Sequence, residues 1–415
     1  MSMNVCHPKL CVSRSQAITH CTFPRAAVCA LFAIASLFSA SCAANPQSDF
    51  SVTSTAGSSL DVVALGEFDQ PWAMTFLPDG QLLVSEKGGQ LWMVTSDNAS
   101  QDHSSGLATV AADQISRVAI TGLPAVQARG QGGLGDVLPH PDFNNNQTLY
   151  LSYVEREGGT SGSALLKARL DTSDASAPKL IDGEVIWRQV PKVSGEGHYG
   201  HKLAFSPDGF LYITSGERQK FDPAQDMQMN LGKVLRINDD GSLPADNPWA
   251  SKGGVAAEFW SIGHRNPLGI AFGDDGQLWV NEMGPRGGDE LNKVVAGGNY
   301  GYPLVSNGRH YSGLPIPDHD TRPDLLAPEI TWTPVISPSS LLVYTSQRYP
   351  GWQGTGLMGG LSSQSLVRVS LDNPVVEIER FDMGRRIRDV EQDANGVVYL
   401  LEDKSGGRLL RLSAP

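Results

Sequence analysis

Beyond residue 42 the chain has no cysteine; all five (Cys6, Cys11, Cys21, Cys29 and Cys42) lie near its start. The long remainder therefore forms no disulfide and offers no thiolate as nucleophile or metal ligand. Acidic residues are missing from the first 48 positions, where Lys9, Arg14 and Arg25 precede an apolar run, Ala26–Ala40, and the small residues SCAAN. A basic region, a hydrophobic region and a small-residue zone form the pattern of an export signal. The run is short of the roughly 20 residues that span a bilayer; a buried helix or a retained anchor is the other reading. Residue 39, three before Cys42, is serine rather than a large aliphatic. Cleavage near Ala43 or Ala44 is thus as well supported as lipidation. We expect residues 1–44 to be a leader, residues 45–415 a single exported, periplasmic domain, and the N-terminus either free or lipid-anchored through Cys42. No later stretch is apolar and long enough to cross a membrane.

Positive charge is also scarce. The net charge is −12, and the leader carries three cations, so the remainder stands near −15. Such a chain repels nucleic acid and anionic membranes. An anionic ligand would need a local cluster of Arg or Lys.

Helical periodicity is hard to find. What recurs is a short apolar strand, a turn and a second apolar strand: AMTFLPDGQLLVSEKGGQLWMV, GDVLPHPDFNNNQTLYLSYV, KLAFSPDGFLYITSGER, GIAFGDDGQLWVNEMGP, LLVYTSQRYPGWQGTGLMGGL and DVEQDANGVVYLLEDKSGGRLLRL. Asp79-Gly80, Asp208-Gly209, Asp275-Gly276 and Asn395-Gly396 are hairpin turns, because glycine tolerates the positive φ these need. From Gly80 to Gly396 the 316 residues hold five intervals, a mean of about 63. Six repeated units predict an all-β, six-bladed β-propeller of four-stranded antiparallel blades; a large β-sandwich is the alternative. In a propeller the loops that feed the inner strands converge on a central funnel. SGEGHYGHK is such a loop, and it aims His198 at the funnel.

Four of these loops carry unusual polar residues: ARGQGGLGDV with Gln131, GEGHYGHK with His198 and His201, GHRNPLG with His264, Arg265 and Asn266, and RRIRDV with Arg386 and Arg388. Residues two apart on a strand share a face, so both guanidinium groups point the same way, which is unfavourable unless an anion lies between them. Solvated or salt-bridged arginines and a satisfied structural histidine are the plain alternatives. A transition metal on His198 and His201 lacks a supporting HExxH or cysteine. Gly195, Gly197 and Gly200 would let backbone approach a flat ligand closely. NEMGPRGGDELNKVVAGGNYGYP sets Glu282, Asp289 and Glu290 among seven glycines and prolines from Gly284 to Gly301. Hard cations such as Ca²⁺ favour that irregular, oxygen-rich backbone; an acidic surface loop is the alternative. INDDGSLPADNP lacks the EF-hand spacing and is a turn.

In order, GQGGLGDV, GHYGHKLAFSPDG, GKVLRINDDGSLPADNP, SIGHRNPLG, NEMGPRGGDELN, GGNYGYP and RIRDV resemble the soluble PQQ-dependent sugar dehydrogenases, in particular their aldose sugar dehydrogenase branch. The resemblance runs from about Gln70 to the C-terminus. It implies pyrroloquinoline quinone (PQQ) lying flat over the funnel and oxidation of aldose sugars at the anomeric carbon to lactones. Hydride would pass to the quinone, with His198 as general base and Arg265 stabilising developing charge. It implies cofactor contacts from Gln131, Arg265, Asn266, Tyr311, the loop Gly360-Leu361-Ser362, and Arg386-Ile387-Arg388. It further implies Ca²⁺ on the carbonyls of Gly284 and Pro285, and a second, structural Ca²⁺ at Glu290 and the carbonyl of Tyr300. An external electron acceptor and a monomer or weak homodimer go with it.

The chain departs from the pattern in two places. A family lysine of the fifth blade is replaced by Ser362, which removes a cation. After His198 the usual glycine and arginine become His201 and Lys202; Lys202 keeps the charge without the planar fork, and the resemblance gives His201 no role. Two other functions fit a six-bladed propeller: a lactonase-like hydrolase, which would need carboxylates and Asn converging on the axis, and a non-catalytic carbohydrate-binding propeller.

Overall fold

A computed structural model of the chain describes residues 49–96, 107–108 and 115–413. The expected leader and Cys42 lie outside the described residues. The described chain forms six antiparallel sheets, five of four strands and one of five. Their inner strands are Pro71–Phe76, Leu134–Pro139, Gly200–Phe205, Pro267–Phe272, Pro338–Val343 and Ile387–Gln392, opening blades 1 to 6. Each inner strand touches the next, and that of blade 6 touches that of blade 1, which closes a ring. This is a six-bladed β-propeller and rules out the sandwich.

The sequence explains the blades locally. At Gly80, Gly209, Gly276 and Gly396, φ lies between 75° and 88°. In each turn the glycine N–H donates to the carbonyl three residues back, as Gly80 does to Leu77 at 2.9 Å. The first residue of the turn then closes the hairpin, as Leu77 N–H does on Gln81 O at 2.8 Å. INDDGS makes the same turn at Gly241. Second strands such as Leu82–Glu86 and Leu278–Glu282 are buried along their whole length. A blade packs a neighbour on both faces, so its central strands are apolar in runs rather than by alternation.

The core follows from this. Six apolar clusters each fill one blade interface, for example Leu83, Leu91, Leu149 and Leu151 between blades 1 and 2. The chain closes the ring with its own beginning: Ser59–Asp69 pairs with Ser405–Ser413, from Asp61 opposite Ser413 to Asp69 opposite Ser405. Phe50–Thr53 adds a fifth strand at the outer edge of blade 6.

All six inner strands share one irregularity. Pairing with the second strand slips just after the inner strand begins, at Pro71/Ala73, Leu134/Val137, Gly200/Leu203, Pro267/Gly269, Pro338/Leu341 and Ile387/Asp389. A bulge inserts an extra residue and re-aims its side chain. Here the bulges sit where the loops enter the blades, at the same end of every blade.

Candidate functional site

Two cavities open at that end. One, of about 350 Å³, is lined by residues of all six blades and their loops, among them Trp72, Lys87, Gln131, His201, Leu361 and Arg388. The other, of about 480 Å³, is lined by His198, Glu217, Arg265, Pro285, Tyr302 and Tyr311 with their neighbours. Four bulge residues, Trp72, His201, Leu268 and Arg388, line the first cavity. Among the described residues, seven of the eleven non-glycine residues with positive φ also line one or the other: Gln70, His201, Ser337 and Lys404, and His198, Gln219 and Phe221. Strained backbone concentrates at functional sites, and this concentration marks the two cavities as one functional region.

His198 has φ 50° and is nearly buried. Its backbone N–H donates to Gln131 Oε1 at 2.7 Å, which joins two of the loops expected to converge. Its Nδ1 meets Glu217 Oε1 at 2.5 Å. Glu217 is fully buried and also accepts backbone N–H groups of Lys220 and Phe221. Burial would raise the Glu217 carboxyl, but the hydrogen bond from His198, with the Phe221 N–H and the charge of Arg265, prevails and holds it low. For His198 burial is the largest influence and lowers its pKa below the ordinary 6.5, against the hydrogen bond of Glu217. The result is a neutral imidazole fixed at Nδ1, with Nε2 left for a proton. Glu217 was missed in the sequence because GER ends a strand like any polar cap.

Two of the glycines around His198 are also required by the packing of the loop, and Gly200 lines the 350 Å³ cavity. A Cβ on Gly197 would stand 2.8 Å from the Gln219 side chain, and one on Gly200 2.7 Å from Gly216 N. The loop is clamped by Arg218, which is fully buried. Its guanidinium donates to the carbonyls of Gly197 (2.9 Å), Gly195 (2.7 Å) and Ser161 (2.6 Å) and lies 3.7 Å over the Tyr199 ring.

Arg265 reaches the same cavity as His198. It donates to the carbonyls of Met283 (2.8 Å) and Gly284 (2.6 Å) and to the Tyr311 hydroxyl (3.3 Å). Its backbone N–H is held by Glu282, which also holds His264. Tyr311 is 71% exposed and forms the rim. Asn266 is buried, and its amide nitrogen and oxygen are both unpaired among the described residues. Buried polar groups are normally paired, so this amide stands out beside Arg265, although Asn266 is not among the residues that line either cavity.

Arg386 and Arg388 do share a face, and the anion between them is protein. Asp403 accepts from Arg386 Nε at 2.6 Å and from Arg388 Nη2 at 2.8 Å. Arg388 also lies 4.2 Å over the Trp72 ring. Ile387, between them, points into the core of the blade 5–blade 6 interface. Leu361 lines the cavity, and its carbonyl accepts from Arg386 at 3.2 Å. Gly360 ends a strand in which a Cβ would strike Ser363. Ser362 is exposed and donates to Val335 O at 3.1 Å. Two cations that the sequence did not flag, Lys87 and Lys404, line the same cavity. Burial and the nearby Arg388 lower the pKa of Lys87. Four cations against Asp403 leave a surplus of three positive charges around this cavity, in a strongly acidic chain.

Lys202 is not part of that surplus, although a positive charge at this position was expected to serve the ligand. Its Nζ is committed to Asp136 at 2.9 Å and Asp389 at 3.2 Å. Burial opposes its charge, yet the two carboxylates prevail and raise its pKa. His201 does face the cavity.

The acidic loop is arranged around backbone. Asp289 accepts from Gly284 N at 2.9 Å and from Ser337 N at 2.6 Å. Glu290 accepts from Asn292 at 3.3 Å, whereas the Tyr300 carbonyl accepts from His319 at 3.1 Å. Pro285 lines the larger cavity. Among the described residues no group of three or more His, Cys, Asp or Glu side chains is placed to hold a metal, so a cation there would rest largely on carbonyls. Among the described residues no helix is long and apolar enough to cross a membrane.

Comparison with known proteins places this architecture. Residues 68–411 match the Glucose / Sorbosone dehydrogenase family. The chain is 37% identical over 359 residues to the aldose sugar dehydrogenase YliI of Escherichia coli strain K12, covering 84% of this chain and 91% of that one. It is 27% identical over 425 residues to quinoprotein glucose dehydrogenase B of Acinetobacter calcoaceticus, covering 83% and 85%. The crystal structure of the soluble aldose sugar dehydrogenase of Escherichia coli in its apo-form superposes with a TM-score of 0.76 at 36% identity, over 86% of this chain and 100% of that one. The chain belongs to the glucose/sorbosone dehydrogenase family and is an oxidoreductase of the sugar dehydrogenase type.

Proposed function

We propose that the chain oxidises aldose sugars to lactones with PQQ seated in the 350 Å³ cavity and the sugar in the adjoining 480 Å³ cavity. The observation that carries this reading is the surplus of three positive charges from Lys87, Arg386, Arg388 and Lys404 around Asp403, matched to a flat tricarboxylate. The quinoprotein named among the relatives supports it. When bound, the ortho-quinone supplies an electrophilic carbon that accepts the hydride of the sugar's anomeric carbon.

The residues divide the remaining work. Arg386 and Arg388 neutralise carboxylates, and Asp403 fixes their guanidinium planes. Gln131 ties the blade 2 loop to His198. The unpaired amide of Asn266 and the fork of Arg265 offer donors where negative charge develops. His198 removes the anomeric hydroxyl proton through Nε2, and Glu217 stabilises the imidazolium that results. Tyr302, Tyr311 and Phe221 give the sugar an apolar wall. Ca²⁺ would be held by the carbonyls of Gly284 and Pro285, the first of which Arg265 shares, and a second ion by Glu290 with the Tyr300 carbonyl. The enzyme works outside the cytoplasm as a monomer or weak homodimer, handing electrons to an external acceptor.

Adding PQQ and Ca²⁺ to purified protein and following dye reduction with several aldoses tests the reading. Sugar- and PQQ-dependent reduction is expected. Lactone hydrolysis without PQQ would instead establish a hydrolase, and sugar binding without turnover a non-catalytic propeller.

A further inference from the structure

His201 is the histidine of this loop that the proposed function leaves unused, and the fold holds its ring from four sides. The residue sits in the bulge of the blade 3 inner strand with φ 63°. Gly135 of blade 2 makes room for it: a Cβ there would lie 2.1 Å from the imidazole Cε1 and 2.2 Å from Nδ1. Ser152 Oγ lies 2.9 Å from Nδ1. The Trp72 ring runs parallel to it, 8° between planes and 6.2 Å between centroids. The Tyr199 ring meets it edge-on at 6.4 Å.

The hydrogen-bond chain assigns the tautomer. Ser152 Oγ already accepts the backbone N–H of Asp136 at 2.8 Å. Its own proton is then best placed on Nδ1, which makes Nδ1 the acceptor and leaves the imidazole proton on Nε2. Burial, the largest influence, and the charge of Lys202 lower the pKa of His201 to about 3, so the ring is neutral at physiological pH. His201 is 1% exposed, and Nε2 has no partner among the described residues. The residue lines the 350 Å³ cavity beside Trp72 and Arg388, the bulge residues of blades 1 and 6. A buried, oriented N–H without a partner is costly unless a ligand completes it.

We propose that His201 is a cofactor-binding residue: its Nε2–H donates to an oxygen of the planar, carboxylated quinone, on a cavity wall shared with Trp72. This rests on the PQQ reading above and adds to it a contact from His201. Being neutral, His201 contributes a directed hydrogen bond where Arg386 and Arg388 contribute charge. Its contribution therefore persists at high salt, while theirs is screened.

The test is an equilibrium titration of the protein with PQQ, without sugar, followed by quenching of tryptophan fluorescence. His201→Phe keeps a ring and removes the donor; its Kd should rise about 10-fold, the worth of one good hydrogen bond. His201→Gln restores a donor and should recover most of that loss, and the ratio of wild-type to His201→Phe affinity should hold between low and high salt. Thermal melts of both variants accompany the titration. Wild-type affinity in His201→Phe overturns the inference. So does equal weakening of both variants with matched losses in melting temperature, which marks a merely structural ring. If His201→Phe fails to fold, Ser152→Ala, which frees Nδ1 to take the proton, must weaken PQQ for the inference to stand. Wild-type protein that does not bind PQQ at all refutes the cofactor reading itself, whereas wild-type binding with indifferent variants refutes only the role of His201.

Discussion

At the scale of single residues the proposed chemistry turns on how His198 is held. Its Nδ1 is tied to Glu217 at 2.5 Å and its backbone to Gln131 at 2.7 Å. If it is the base, His198→Ala should slow sugar oxidation by roughly 10²–10⁴-fold while PQQ still binds; a near-normal rate with PQQ bound would reassign the proton acceptor. The pH profile tests the dyad more closely. Protonation removes the lone pair, so the rate falls as pH drops through the pKa of His198, which lies below 6.5. The Glu217 hydrogen bond and charge hold that pKa up against burial. Glu217→Gln keeps shape and removes charge, so its acid limb should move to lower pH even as its maximal rate falls. A limb that moves upward or stays in place contradicts this electrostatic account. Arg388 makes a separate claim. Its loss leaves Asp403 facing the cavity, so Arg388→Ala should weaken PQQ by about 1.5–3 kcal/mol, the range for hydrogen bonds to charged groups. Unchanged PQQ affinity with a raised sugar KM would move Arg388 to the substrate.

At the scale of strands, a charged knot ties the inner strands of four blades together. Lys202 of blade 3 bridges Asp136 of blade 2 and Asp389 of blade 6, and Asp389 accepts the Met74 N–H of blade 1 at 2.8 Å. Removing one partner of a buried ion pair strands the others. Lys202→Met should therefore destabilise the protein by about 3–5 kcal/mol, and adding Asp136→Asn and Asp389→Asn should recover much of it; denaturant unfolding measures both. A triple variant no more stable than Lys202→Met alone would mean that the lysine packs rather than pairs. The knot also shows where sequence reading stops. The Asp-Gly and Asn-Gly turns are local chemistry, so the blades and the loops that feed them were legible, as were His198, Gln131 and Arg265 on those loops. Lys202 passed for a ligand cation because its partners lie 66 and 187 residues away. Asp403 was invisible as the anion between Arg386 and Arg388 because that contact needs the neighbouring strand in register. The bulges, which turn Trp72 and His201 toward the cavity, leave no compositional trace.

At the scale of the whole molecule the ring depends on a strand from the other end of the chain. Ser59–Asp69 is hydrogen-bonded to Ser405–Ser413 and buries Leu60, Val62, Leu65 and Phe68 at 3% exposure or less. Burial of each such side chain is worth about 1.5–3 kcal/mol, so the four together contribute roughly 6–12 kcal/mol. That is comparable to the whole stability of a typical domain, about 5–15 kcal/mol. Without this strand, Ser405–Ser413 becomes an exposed edge with an apolar face, a template for aggregation. A variant beginning at Asp49 should melt as one beginning at Asn45 does. One beginning at Gln70 should fail to give a folded monomer by size-exclusion chromatography and calorimetry. The damage should reach the site, because blade 6 carries Arg386, Arg388 and Asp403, so any soluble fraction of the shorter variant should not bind PQQ. If that variant instead melts within a few degrees of the longer one and keeps its PQQ affinity, the closure is ornamental, and the four inter-blade cores left untouched are enough to hold the ring.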